Sequence, residues 1–249
     1  MTEYLSTAIA AAREAGKLLK ENFEGTLNVS EMQAHDIKLE LDVRSQELIT
    51  GILLQSFPDH AIFGEEGLAG NQQSDYQWIV DPIDGTVNYF YGLPHFCISI
   101  ALRKAGEIIL GVILDPMRDE LWQVEKGERP LLNGRPIAVS TRTQLSDAIV
   151  SIGFAKSTTT IEAGLPLLEK MVHRVRKCRM QGSAALDMAY VATGRMDAYI
   201  ESSVSLWDIA AGKILIESAG GRVDMVPHPG AQEKYSVVAA SGNMDLTIQ

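Results

Sequence analysis

The apolar run Trp78-Ile79-Val80 leads without a break into Asp81-Pro82-Ile83-Asp84-Gly85-Thr86-Val87-Asn88-Tyr89, and this junction restricts what the chain can become. A short buried strand is expected at 78–80, with Asp81 ending it. Pro82 has no N–H for a ladder, and Gly85 permits a tight turn into a short helix starting near Thr86. Two carboxylates three positions apart are thereby exposed where a strand stops. Taken alone, the string is as compatible with an Asx-type turn in which an aspartate caps the helix. A calcium loop fails on spacing, since an EF-hand begun at Asp81 needs Gly where Thr86 stands and Glu where Gly92 stands.

Other carboxylates keep it company. Ala61-Ile62-Phe63 reads as a second short buried strand that runs into Gly64-Glu65-Glu66, and Trp207-Asp208 opens an apolar helix far downstream. Carboxylates brought together raise one another's pKa unless cations neutralise them, so a convergent set without basic neighbours implies metal. An all-oxygen donor set favours Mg²⁺.

Charge points the same way. The 22 basic and 32 acidic residues give a net charge of −10, and no Lys/Arg run makes a nucleic-acid footprint, so a polyanionic partner is repelled. Such a chain attracts a small phosphate only through local positive charge. Bound divalent ions provide it, and N–H groups at a helix start near Gly85 and Thr86 add to it.

Along the 249 residues, Leu5, Ile9, Ala12, Leu19 and Phe23 recur at helical spacing, which predicts an amphipathic first helix rather than a signal peptide. Gly25 to Glu40 is polar and carries no element signal. Asp42 opens a second helix with Val43, Leu48, Ile49, Ile52, Leu53 and Phe57 apolar, stopped by Pro58. Residues 96–103, 108–115 and 120–125 read as an antiparallel meander. From about residue 148 strands and helices alternate, with Ser205 at an N-cap and Gly194 and Gly220 at helix ends. An α+β half over 1–140 and an α/β half over 141–249 follow, with an approximate boundary near Asn133-Gly134-Arg135-Pro136 and a shared core. No apolar stretch reaches the length of a membrane span, which predicts a soluble, cytoplasmic protein with no membrane partner. Cys97 and Cys178 suit reduced thiols. His35, His60, His95, His173 and His228 show no zinc spacing. Arg174, Arg176, Lys177 and Arg179 form the densest basic patch, read as a solvated face.

Taken together, Gly64-Glu65-Glu66, Asp81-Pro82-Ile83-Asp84-Gly85-Thr86-Val87-Asn88 and Trp207-Asp208-Ile209-Ala210-Ala211-Gly212 resemble the signatures of the inositol monophosphatases. Gly182-Ser183-Ala184-Ala185-Leu186-Asp187 and Ala198-Tyr199-Ile200-Glu201 extend the resemblance over nearly the whole chain. It implies a layered αβαβα sandwich of the sugar-phosphatase type, two or three Mg²⁺ per site, lithium sensitivity and a homodimer. Glu65, Asp81 and the carbonyl of Ile83 would bind a first Mg²⁺ with help from Thr86, and Asp81, Asp84 and Asp208 a second. Glu65 would also reach a third, and Asp42 would bond Thr86 to help deprotonate the attacking water. Asp84, Gly85, Thr86, Gly182, Ser183, Ala184, Glu201 and Asp208 would line the substrate site, with Ala184 and Glu201 on substrate hydroxyls.

The implied activity is hydrolysis of a small phosphate monoester, above all myo-inositol 1-phosphate, by direct attack of water. Fructose 1,6-bisphosphate, histidinol phosphate and 3'-phosphoadenosine nucleotides are the alternatives within the class, and a regulatory binding protein with vestigial catalysis lies outside it. The chain departs from the family in one place. The family has a Lys shortly before D-x-V-T-x-x-D, whereas Asp36-Ile37-Lys38-Leu39-Glu40-Leu41-Asp42 puts Lys38 and Leu39 at the Val and Thr places, and Glu31 falls near the expected Lys.

Overall fold

The computed structural model describes residues 1–33, 36–154, 158–242 and 244. Helix α1 (Glu3–Asn22) is capped by Thr2, whose hydroxyl accepts the Leu5 N–H at 3.3 Å. A hairpin follows, β1 (Val29–Gln33) and β2 (Asp36–Leu39), in the polar stretch that carries no element signal. Helix α2 (Glu40–Ser56) starts two residues before Asp42, which is its third residue. The acidic side chain belongs to the first turn, where a carboxylate can accept a backbone N–H.

Strands β3 (Ala61–Gly64), β4 (Gly67–Gly70) and β5 (Tyr76–Asp84) lead into α3 (Thr86–Phe90). The meander is β6 (Cys97–Lys104), β7 (Glu107–Asp115) and β8 (Glu120–Glu125), extended by the short β9 (Leu131–Leu132) and β10 (Arg135–Pro136). The second half comprises β11 (Ile149–Gly153), α4 (Thr158–Val172), β12 (Lys177–Arg179), α5 (Ala184–Ala192), β13 (Ala198–Ser205) and α6 (Leu206–Ser218). It closes with β14 (Arg222–Pro227) and β15 (Lys234–Ala240), a hairpin beyond the reach of the alternation rule.

The strands form an eight-stranded sheet, β10-β9-β8-β7-β6-β5-β3-β4, and a five-stranded sheet, β12-β11-β13-β15-β14, besides the β1-β2 hairpin. Both faces of the large sheet are apolar. Trp78, Val80, Ile98, Ile100, Leu102, Leu110 and Val112 pack under α1 and α2, while Ile79, Cys97, Ala101 and Ile113 pack under α5 and α6. This is why β5 to β7 read as continuous apolar runs rather than alternating ones. Every residue of α5 after Ala184 is buried, as a helix caught between two sheets must be. Tyr199, Val204, Val237 and Ala239 close that layer from the small sheet, and α4 covers the sheet's far side through Leu167 and Met171. The result is a five-layer αβαβα arrangement in which both halves share the central helical layer. Among the described residues, no helix is long and apolar enough to cross a membrane.

Close approach between the layers depends on missing side chains. A Cβ on Gly111 of β7 would lie 2.7 Å from Ile214 Cγ2 and 2.8 Å from the Ala211 carbonyl oxygen of α6. Gly111→Ala is expected to lower stability by about 1–3 kcal/mol. Urea unfolding checks it, and an unchanged midpoint would mean that α6 is free to move off the sheet.

Candidate active site

Strand β5 does not stop at Asp81 but runs through to Asp84, in contrast to the sequence expectation. In a regular strand, residues three apart face opposite sides. Here Asp81 pairs with Ser99 and Asp84 with Cys97, so three steps on β5 match two on β6. The extra residue is a bulge at Pro82, where no N–H is available for the ladder. It brings both carboxylates to one face. Gly85 then takes φ +97° and turns the chain into α3, a conformation that disfavours any Cβ, and a Cβ there would lie 3.0 Å from the His95 carbonyl oxygen.

Asp208 reaches the same place from the first turn of α6, where its Oδ2 accepts the Ser205 N–H at 2.9 Å. Carboxylate oxygens of Asp81, Asp84 and Asp208 lie within 4.8 Å of one another, with Asp81 and Asp84 buried and Asp208 partly so. Burial first, and then the charges of its neighbours, push Asp81 and Asp208 well above the usual carboxylate range. The two are close enough to share a proton. Burial also raises Asp84, opposed by the donors that hold it.

Those donors come from the other half of the chain. Ser183 Oγ and the Ala185 N–H each approach Asp84 Oδ2 to 2.6 Å, and the Ala184 N–H lies 3.3 Å from Oδ1. Ser183 is buried and its hydroxyl is directed at Asp84, so its visible work is to orient that carboxylate and cap α5. Asn88 fastens the same junction, its amide donating to the His95 carbonyl at 2.8 Å and the Gln181 carbonyl at 2.7 Å. Gly182 lies against that amide, 3.1 Å from its nitrogen to a built Cβ.

Asp42 stands behind this face. Its Oδ2 accepts the Leu39 N–H at 2.6 Å and its Oδ1 the Thr86 hydroxyl at 3.3 Å, while Thr86 Oγ1 also lies 2.9 Å from the Ile83 carbonyl oxygen. Burial pushes Asp42 up to about 7, and Glu65 and Glu66 add to the rise. Glu65 is tied to β5 through its N–H on the Val80 carbonyl at 3.1 Å. It raises the proton affinity of Asp42, Asp81 and Asp208, although it is outside the three-carboxylate group itself. Lys38 is drawn to Glu66, Nζ to Oε2 3.3 Å, which gives the departing segment a definite role at the β3–β4 turn.

Several residues here went unread in the sequence. Gln46 accepts the Glu66 N–H at 2.9 Å and donates to the Gly67 carbonyl at 3.2 Å, fixing the turn that presents Glu65. Asp187, buried in α5, accepts from Ser151 Oγ at 2.6 Å and Gln181 Nε2 at 2.5 Å, and burial pushes it up to about 7. An acid in a helix otherwise apolar all round was the available signal. Tyr199 donates its hydroxyl to Glu201 on β13.

The donor set suits a hard divalent cation. Asp81, Asp84 and Asp208 offer only oxygen, and among the described residues no basic side chain forms an ion pair with any of them. Three like charges this close are relieved by protons or by cations.

Comparison with known proteins agrees with this geometry. The profile of the inositol monophosphatase family matches residues 1–249. A protein of Pseudomonas aeruginosa named Nus factor SuhB is 38% identical over 250 residues, covering 97% of this chain and 92% of its own. The crystal structure of extragenic suppressor protein suhB from Bartonella henselae superposes with a TM-score of 0.90 at 32% identity, over 97% of this chain and 95% of that one. An inositol monophosphatase from Anabaena gives 0.84 at 36% identity, over 96% and 91%.

Proposed function

The chain belongs to the inositol monophosphatase family, and from that membership we propose that it is a Mg²⁺-dependent phosphomonoesterase that hydrolyses myo-inositol 1-phosphate or a similar polyol phosphate. The observation that carries the reading is the convergence of Asp81, Asp84 and Asp208 beside Thr86 and Asp42. In this reading Glu65, Asp81 and the Ile83 carbonyl hold one ion, and Asp81, Asp84 and Asp208 hold a second. Bound Mg²⁺ supplies a water of lowered pKa and positive charge for the phosphoryl oxygens.

The protein's own groups do the rest. The Thr86 hydroxyl, between Asp42 and the Ile83 carbonyl, is placed to orient a water and pass its proton to Asp42, whose raised pKa suits it as acceptor near neutral pH. The amides of Gly85 and Thr86 face the phosphate, Gly182, Ser183 and Ala184 fix the wall beside it, and Glu201 accepts from substrate hydroxyls. Inhibition by Li⁺ at the Asp84–Asp208 position, assembly as a homodimer and a cytoplasmic location complete the proposal, as does the division into halves at about residue 140.

The test is phosphate release from inositol 1-phosphate, fructose 1,6-bisphosphate, histidinol phosphate and 3'-phosphoadenosine 5'-phosphate in millimolar Mg²⁺, with and without Li⁺. Inositol 1-phosphate is expected to give the highest kcat/KM. Release from none of the four would sink the enzyme reading. A second reading, a regulatory protein acting through its surface, is favoured by the name Nus factor borne by the Pseudomonas relative. The intact carboxylate set argues that such a role would accompany catalysis rather than replace it.

A further inference from the structure

Strand β11 is a switch point of the small sheet. From it the chain passes through α4 to β12 on one side and then through α5 to β13 on the other, and β11 runs parallel to both neighbours. α4 covers the outer face of the sheet and α5 lies in the central layer. In such sheets the crevice beyond the carboxyl ends of the strands receives ligands. Gly153 ends β11, and its ladder partner on β13 is Glu201.

Residues directly paired across a ladder share a face, and Tyr199, two positions before Glu201, shares it as well. Gly153 offers no side chain there. A Cβ built on it would overlap Glu201 Oε2, and it would lie 2.6 Å from Glu201 Cδ and 3.1 Å from the Tyr199 hydroxyl. The Glu201 carboxylate therefore lies back across the ladder over the bare Cα of Gly153, where the Tyr199 hydroxyl donates to it. Tyr199 is itself fully buried and within the electrostatic reach of Asp208, which ties this corner to the carboxylate cluster.

We propose that Gly153 and Tyr199 are positioning residues for substrate choice: they set the posture of Glu201, and through it the preference for phosphate esters bearing hydroxyls remote from the phosphate. This rests on the phosphatase reading given above. A carboxylate whose oxygen accepts the Tyr199 hydroxyl keeps a fixed direction, which complements a polyhydroxylated ring and offers nothing to an ester without hydroxyls. Neither residue touches the reacting phosphorus. Their effect should appear in recognition of the alcohol half alone.

The experiment compares inositol 1-phosphate with p-nitrophenyl phosphate in Mg²⁺ for the unaltered protein, Gly153→Ala, Tyr199→Phe, Glu201→Ala and the Gly153→Ala/Glu201→Ala double variant. Gly153→Ala is expected to lower kcat/KM for inositol 1-phosphate by about 10- to 100-fold, mostly through KM, with p-nitrophenyl phosphate changed less than about twofold. Tyr199→Phe, which introduces no Cβ clash, should act in the same direction and more weakly. In the Glu201→Ala background, Gly153→Ala should cost nothing further, because the group it displaces is gone. Equal losses on both esters, or a full additional loss in the double variant, would show a merely structural role and overturn the proposal. Were the unaltered protein to release phosphate from neither ester, this proposal would fall, while the phosphatase reading would be decided by the four-substrate panel.

Discussion

Asp81→Asn is expected to remove at least about 1000-fold of kcat/KM for inositol 1-phosphate under the proposed activity, equivalent to roughly 4 kcal/mol of transition-state stabilisation, while the chain stays folded. Asp81 is the most enclosed of the three clustered carboxylates, and the bulge at Pro82 directs it at both Asp84 and Asp208. In the proposed arrangement it alone contributes to both cation positions, so its charge cannot be replaced by a neighbour. Asparagine keeps the shape and can still accept the Ile83 N–H that Asp81 Oδ1 accepts at 3.0 Å. It removes one of three mutually repelling charges.

Two measurements therefore move in opposite directions. Activity should collapse, whereas the melting temperature of the EDTA-treated variant at pH 8 should equal or exceed that of the unaltered protein. The rise in melting temperature produced by Mg²⁺ should shrink in the variant, since one ligand of each ion is neutral. Activity within tenfold of normal would remove Asp81 from the centre of the site. An unfolded variant would show instead that the carboxylate is needed for packing.

The site was legible in the sequence to the extent that its residues lie in contiguous strings. Asp81-Pro82-Ile83-Asp84-Gly85-Thr86 announces itself because a proline, a glycine and two acids follow an apolar run. What the string could not convey is that the strand continues through it. The face-sharing of Asp81 and Asp84 comes from register against β6, a relation between segments that no local pattern encodes. Asp42 illustrates the same limit. It was identified, but as a helix start, because Leu39 is not a residue type that signals an N-cap; Asp42 marks the third position by taking the Leu39 N–H.

The layers were legible where burial is two-sided. Helices α5 and α6 and strands β5 to β7 are apolar enough to be read directly, whereas β1, β4 and β14 are largely exposed and β2, though Ile37 and Leu39 are buried, is only four residues long. Exposed short strands carry little hydrophobic signal, and pairing with a neighbour defines them instead. The contacts that escaped notice, those of Gln46 and Asp187 and the one on which the proposal for Gly153 rests, join partners 20, 36 and 48 positions apart, respectively Glu66, Ser151 and Glu201. Their meaning exists only after folding.

The stability of the metal-free protein is expected to fall as pH rises from 5.5 to 8, and Mg²⁺ to reverse the fall. Asp42 and Asp187 are both pushed from 3.8 up to about 7, burial being the first cause for each. A group whose pKa is higher in the folded state binds its proton more tightly there. Its contribution is complete below the unfolded value and is lost as pH climbs through the folded one. For a rise of this size the full loss, from below the unfolded value to above the folded one, is on the order of 4 kcal/mol per group, about half of it between pH 5.5 and 8, with Asp81, Asp84 and Asp208 shifted in the same direction. A melting temperature lower by at least about 5 °C at pH 8 than at pH 5.5 is expected in EDTA. Cations occupying the carboxylate cluster replace the protons that Asp81, Asp84 and Asp208 would otherwise hold, so Mg²⁺ at about 100 times its dissociation constant returns roughly 2.7 kcal/mol at pH 8. Asp187 faces Ser151 and Gln181 rather than the cluster's open side, and its share of the slope should persist in Mg²⁺ and vanish in Asp187→Asn. A metal-free melting temperature that climbs between pH 5.5 and 8 would mean that these carboxylates are ionised in the folded chain without cost. Three acids crowded within 4.8 Å, with no basic partner among the described residues, make that outcome hard to reconcile with electrostatics unless the cluster retains a cation through EDTA treatment, which elemental analysis of the same sample detects.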